Sequence, residues 1–395
     1  MLPPEIGSTA LDAEETGRYA RHLSLPELGV VGQRRLKAAS VLCVGAGGLG
    51  SPLLLYLAAA GIGRIGLIDF DVVDASNLQR QVIHSTARIG EAKVHSARAR
   101  MLELNPRCDV QVHREALSSA NALERLASYD LVCDGSDNFS TRYLVNDACA
   151  LLGLAWVYGA VFRFEGQASV FNHRGGPDFR DLLPEPPPAG AVPSCAEAGV
   201  VGVLPGLIGT IQATEAIKLI AGIGTSLSGR LLVLDALSMR FRELRLQPTP
   251  GREPIRELID HARPCAGTPA SSPEGGDGHP GIDVETLRRR LESATPAAPM
   301  LLLDVRSAEE VAAASLPGAL NIPLAELERE ASLSQLKRMS AAGTIHVVCK
   351  AGGRSTRALG LLRRHGIEGI NVLGGMDAWL QRGWPVESAA PGARS

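Results

Sequence analysis

At 395 residues the chain is long enough for two or three domains with full cores. A net charge of −2 excludes the basic stripe of a general nucleic-acid binder, so no nucleic-acid partner is expected. Seven scattered cysteines make poor disulfide material and read as cytoplasmic; no apolar run reaches a membrane span, and MLPPEIGSTALDAEETGRYARH does not read as a signal peptide.

Apolar runs at Val41–Val44, Ile65–Ile68, Val110–Val112, Leu131–Cys133 and Trp156–Tyr158 predict buried strands. Helical stretches such as SPLLLYLAAAG and TRYLVNDACALLG lie between them. Continuous apolar strands separated by helices indicate a parallel sheet covered on both faces. From Glu165 onward, GQASVFN and RLLVLDALSMRFRELRL favour antiparallel strands, with the apolar helix GLIGTIQATEAIKLIAG between them. The Pro-rich LLPEPPPAGAVPSC reads as a loop over a site. The sharpest change of composition is RPCAGTPASSPEGGDGHPG, rich in Pro, Gly and Ser, which predicts a flexible linker. The expected division is therefore a domain over 1–250, a linker over 251–282 and a smaller domain over 283–390. That smaller part repeats the alternation in LLLDV, IHVVC and INVLGG.

Gly45, Gly47 and Gly50 satisfy G-x-G-x-x-G between a predicted strand and helix, with Asp69 about twenty residues on. Such a turn brings the backbone close to a phosphate at a helix N-terminus. Taken alone it fits a nicotinamide-dependent oxidoreductase. Arg80 in NLQRQ, Lys93 in GEAKVHSAR and Arg21 in RYARHL add three cations. Three cations suit a triphosphate better than a diphosphate bridge. Asp137 in CDGSDN ends another parallel strand, where a carboxylate can hold the Mg²⁺ that accompanies ATP.

In IHVVCKAGGRS, Cys349 ends a strand ahead of a helix starting near Arg354. Gly352 and Gly353 allow backbone N–H groups to form an anion-binding nest, and Lys350 and Arg354 add charge, so a thiolate or persulfide is favoured. A tyrosine-phosphatase loop would place five residues between Cys and Arg, where this chain has four. The smaller cradle suits a sulfur atom.

The segments RYARHLSLPELGVVGQRRL, VGAGGLGSP, GRIGLIDFDVVDASNLQRQVIH, KVHSAR, DGSDN and FEGQASVF together resemble the ubiquitin-activating-type adenylyltransferases. The nearest group adenylates the small sulfur carriers of molybdopterin and thiamine synthesis. The resemblance implies ATP contacts at Arg21, Gly48, Asp69, Ser76, Asn77, Leu78, Gln79, Arg80, Lys93, Asp137 and Asn138. It also implies a homodimer, with Arg21 reaching the nucleotide of the other subunit. LLLDVRSAEEVAAASLPGALNIP, the Cys349 loop and INVLGGMDAWLQRGWPV resemble the rhodanese sulfurtransferases. The fold class implied is α/β: a Rossmann-like adenylating domain with a mixed sheet, then a smaller α/β rhodanese domain.

The combination implies ATP-dependent adenylation of a ubiquitin-like sulfur carrier ending in Gly-Gly, followed by sulfur transfer from a Cys349 persulfide. Thiosulfate or a cysteine-desulfurase persulfide would be the donor. An oxidoreductase with an appended sulfurtransferase module and a non-enzymatic carrier-binding scaffold are the rival readings. Many relatives hold zinc with two C-x-x-C pairs, but DFRD at 178–181 and GREPIREL supply no thiolates. No structural zinc is expected. PSCAEAG places Cys195 where some relatives carry a cysteine that bonds to the carrier.

Overall fold

A computed structural model describes residues 2–7, 9–187, 199–258, 274–275, 279–293, 300–350 and 352–387. The chain divides into two compact units, the first ending and the second beginning near residue 263.

The first unit is built on an eight-stranded sheet. In chain order its strands are β1 (Ser40–Val44), β2 (Arg64–Ile68), β3 (Asp109–His113), β4 (Leu131–Asp134), β5 (Trp156–Phe162), β6 (Glu165–Phe171), β7 (Arg230–Asp235) and β8 (Arg240–Arg245). Their spatial order is β3-β2-β1-β4-β5-β6-β7-β8. The first five pair in parallel, and β5 to β8 pair antiparallel. The break from continuous apolar runs to alternation at Glu165 therefore marks where the sheet changes sense. Strand order reverses between β1 and β4, since the chain first winds outward through β2 and β3. Ligands of open α/β sheets bind in the crevice beyond the strand ends at such a switch point.

The helix Val203–Ala221 is long and apolar enough to cross a membrane, contrary to the expectation that no run qualifies. Its length comes from Leu204, Ile208, Ala213, Ala216, Leu219 and Ile220, all buried. Most of these join the core cluster that also holds Val41, Cys43, Leu53 and Ile65. An interior helix covered on several sides needs this composition without any lipid.

The second unit has a six-stranded sheet in the order β12-β11-β13-β14-β10-β9. Its members are β9 (Glu274–Gly275), β10 (His279–Asp283), β11 (Leu301–Asp304), β12 (Leu320–Asn321), β13 (Ile345–Val348) and β14 (Gly369–Leu373). All pairs are parallel except β9 with β10. The three expected strands are β11, β13 and β14, with β13 between the others. β10 overlaps the expected linker, so regular structure of the second unit begins before residue 283. Residues 259–273 and 276–278 of that linker lie outside the described residues.

Candidate functional site

After β1 the chain turns through Gly45, at φ +93°, into the helix Gly50–Ala60. A Cβ on Gly50 would stand 2.1 Å from the Gly45 carbonyl oxygen, so the turn closes this tightly only with glycine there. The turn is held from both sides. Ala46 N–H donates to Asp69 Oδ2 at 2.8 Å, and the Ala46 carbonyl accepts from His84 Nε2 at 2.9 Å. A carbonyl can only accept, so His84 carries its proton on Nε2, and Nδ1 accepts from Ser96 Oγ at 2.9 Å. Burial pushes the His84 pKa down, which keeps the ring neutral in this role.

The loop after β4 faces the glycine turn across the switch point. A Cβ on Gly45 would lie 3.1 Å from the Gly135 carbonyl oxygen. Asn138 caps the helix Phe139–Leu152, its Oδ1 accepting from Thr141 N–H at 2.8 Å. Lys93 opens the helix Lys93–Leu104; it is buried, with Nζ 2.8 Å from Asp71 Oδ2.

These elements enclose a cleft with about 980 Å³ of empty space, open solvent included. Gly45, Gly47, Gly48 and Asp69 line one side; Arg80, Lys93, Asp137 and Asn138 also line it. Eight expected site residues thus meet in one place. Gly50 shapes the turn from beneath and is not in the lining. Ser76, Asn77, Leu78 and Gln79 are not in the lining either. They form the turn that presents Arg80: Asn77 O accepts from Arg80 N–H at 3.1 Å, and Ser76 O accepts from Arg80 Nη1 at 3.3 Å. Arg21 is exposed on the short helix Ala20–Leu23, apart from the cleft lining. Gln81, Gly135 and Pro205 line the cleft without having been singled out from sequence. His84 was also passed over, although it closes the NLQRQVIH stretch.

Asp178 and Asp181, where the family resemblance would place thiolates, are engaged by one arginine. Arg252 Nη2 donates to Asp178 Oδ2 and Asp181 Oδ2, and its Nε lies 3.2 Å from Asp181 Oδ1. Thr249 N–H donates to Asp181 Oδ1 at 2.8 Å. Residues just past 250 therefore pack onto the first unit, beyond the boundary expected there. Among the described residues no group of three or more His, Cys, Asp or Glu is placed to hold a metal.

In the second unit Cys349 follows β13 directly and is only 1% exposed. Its Sγ accepts from Gly352 N–H at 3.0 Å and lies 3.4 Å from Ser355 Oγ. Gly352 has φ +111°, the conformation that aims this amide back at sulfur. Met376 N–H donates to the Cys349 carbonyl and Asp377 N–H to that of Lys350, both at 2.9 Å. The start of the helix Gly375–Gln381 therefore pins the loop. Arg354 differs from expectation. Its guanidinium forms a two-pronged pair with Glu310, at 2.6 and 2.7 Å, which holds the Glu310 carboxyl down at about 2. The Arg354 charge is thus balanced, and Lys350 is the exposed cation of the loop. Cys195 lies outside the described residues.

A cleft lined by a glycine turn at the switch point of an α/β sheet, carried in one chain with a second α/β unit bearing a strand-to-helix cysteine, fits a two-part nucleotidyl- and sulfur-transferring class. Residues 19–254 match the ThiF family and residues 283–382 the rhodanese-like domain. The chain belongs to the ThiF family, carries a rhodanese-like domain, and is an adenylyltransferase and sulfurtransferase. It is 45% identical over 390 residues to the probable adenylyltransferase/sulfurtransferase MoeZ of Mycobacterium tuberculosis, covering 97% of this chain and 98% of that one. The adenylyltransferase and sulfurtransferase MOCS3 of Sus scrofa is 44% identical, over 96% of this chain and 88% of its own. Among solved structures, E. coli MccB with MccA-N7isoASN superposes with a TM-score of 0.55 at 19% identity. It covers 60% of this chain and 74% of its own, and supports the fold of the first unit.

Proposed function

We propose that the cleft adenylates the C-terminal Gly-Gly carboxylate of a small ubiquitin-like sulfur carrier and that Cys349 then supplies the sulfur. The observation that carries this reading is the convergence of Arg80, Lys93 and Asp137 on the glycine turn. A carboxylate resists nucleophiles, so it must first be given a leaving group. The carrier carboxylate attacks the α-phosphorus of ATP, pyrophosphate departs, and Arg80 and Lys93 offset the developing charge. Asp137 is an exposed carboxylate at the cleft and suits Mg²⁺, which takes few protein oxygens and completes its shell with phosphate and water. Mg²⁺ bound there would help neutralise the phosphates.

The Cys349 persulfide attacks the acyl-adenylate carbonyl and AMP leaves, giving an acyl disulfide. A second thiol, for which Cys195 is the internal candidate, attacks the Cys349 sulfur and releases the carrier thiocarboxylate, leaving a disulfide to be reduced. Thiosulfate or a cysteine-desulfurase persulfide reloads Cys349. Carrier docking is supported by Phe162, Phe164, Leu237, Met239 and Phe241, exposed on strand ends and turns on the cleft side of the sheet. A homodimer with Arg21 reaching the partner's nucleotide and a cytoplasmic setting complete the reading. Five free buried cysteines among the described residues accord with reducing surroundings.

The test is carrier-dependent exchange of labelled pyrophosphate into ATP. Asp137→Ala should abolish it, and exchange at the wild-type rate would remove Asp137 from the chemistry.

A further inference from the structure

The loop that brings Asp137 to the cleft is gripped from behind by two buried charged residues. Asp134, the last residue of β4, is wholly buried, and its Oδ1 accepts from Ser136 N–H at 2.8 Å. Its carbonyl accepts from Gln212 Nε2 at 2.7 Å, which ties the strand end to the long helix Val203–Ala221. Arg142, in the first turns of the helix Phe139–Leu152, is buried as well. Its Nη2 donates to the Ser136 carbonyl at 3.2 Å. The guanidinium lies over the Phe139 and Tyr158 rings, 5.5 and 5.7 Å from their centroids. One peptide unit is therefore held at its N–H by the acid and the next at its C=O by the base. On the far side of Asp137, Asn138 is fixed by its cap to Thr141.

We propose that Asp134 and Arg142 are positioning residues for adenylation, which lock Ser136 and Asn138 so that Asp137 meets the nucleotide. This rests on the adenylation reading given above.

The fold alone does not call for these charges. Asp69 makes the same two-residue turn at the end of β2, its Oδ1 accepting from Asp71 N–H at 2.8 Å, yet it does so from a partly exposed site. At Asp134 a neutral asparagine oxygen could accept the same bond. Instead the carboxylate is taken fully out of water, and Oδ2 meets no hydrogen-bond donor of ordinary geometry among the described residues. Arg142 Nε is likewise unsatisfied among them. Burial pushes the Asp134 pKa up to about 6 against the pull of Arg142, so ionisation here opposes folding. A carboxylate taken fully out of water where a neutral oxygen would serve the turn, one residue from the cleft lining, marks a place where structure has been given over to function. Gly135 and Ser136 between Asp134 and Asp137 both line the cleft, so a shift of the grip passes directly to the site.

The experiment measures carrier-dependent pyrophosphate exchange and melting temperature for Asp134→Asn, Arg142→Met and Arg142→Lys. Asp134→Asn keeps the acceptor for Ser136 N–H and removes the charge. It should melt no lower than wild type while its kcat falls about tenfold or more, with the KM for ATP changed less than about twofold, since small misplacements of a reacting group are costly. Arg142→Met should lose more, and Arg142→Lys should recover part of kcat. A kcat for Asp134→Asn within about twofold of wild type would overturn the proposal, as would loss of melting temperature without loss of kcat. If Arg142→Met does not fold, Asp134→Asn decides alone. A wild-type enzyme with no exchange would instead remove the adenylation reading itself.

Discussion

Gly375 has φ +52°, and the Cys349 carbonyl oxygen stands 2.3 Å from where its Cβ would be. An alanine there meets backbone on one side and an unfavourable backbone conformation on the other, so the loop must shift. Gly375→Ala should lower the stability of the second unit by about 2–3 kcal/mol and slow sulfur loading of Cys349. Gly366→Ala is the control: φ is +74° but nothing lies within 4 Å, so only about 1 kcal/mol is expected. Equal melting shifts for the two would mean that the Cys349 loop gives way freely. The stretch INVLGG was legible as one strand of the second unit's strand–helix alternation. Its grip on the cysteine was not, because that contact exists only once β13 and β14 lie side by side. The same limit applies to Arg354, whose place in the loop was readable while its partner Glu310 lies 44 residues away.

At the scale of elements, the absent thiolates at 178–181 were readable and what replaces them was not. Arg252 bridges the acidic cap of the helix Phe179–Leu182 to the chain beyond β8, so one arginine with two carboxylates ties the segments that two C-x-x-C pairs would tie. Burial pushes Asp181 up, but the amides of Asp178 and Thr249 and the Arg252 charge outweigh it, and its pKa ends below the ordinary value. A depressed carboxyl contributes stability above its unfolded pKa and loses it as pH falls below, so the clamp should weaken under about pH 4. Arg252→Met should cost about 2 kcal/mol at pH 7, with the difference from wild type shrinking towards pH 3. Elemental analysis should find no stoichiometric zinc in either protein; zinc surviving dialysis would displace the clamp as the fastener. Legibility followed hydrophobic pattern elsewhere too. β1, β2 and β4 are continuous apolar runs and were found, whereas β12 has two residues and β10 is HPGID, neither of which carries a period.

For the molecule as a whole, the residues proposed to adenylate and the cysteine proposed to carry sulfur belong to different compact units. Among the described residues the cleft lining contains no cysteine, and Cys349 is held by Gly352, Ser355 and the turn at Gly375. Nothing in the first half-reaction therefore depends on the second unit's chemistry, while the second requires the acyl-adenylate that the first makes. A chain joining the two raises the local concentration of Cys349 at that intermediate. Cys349→Ala should keep pyrophosphate exchange at the wild-type rate and lose donor-dependent sulfur transfer. The carrier should then be recovered as adenylate or as free carboxylate, with no gain of sulfur mass by intact-mass spectrometry under the same donor. Supplying the second unit as a separate chain should restore thiocarboxylate formation, but only at concentrations well above those of the tethered enzyme, because covalent linkage makes the encounter intramolecular. Thiocarboxylate made by Cys349→Ala at the wild-type rate would remove Cys349 from the pathway and leave free sulfide or Cys195 as the carrier's immediate sulfur source.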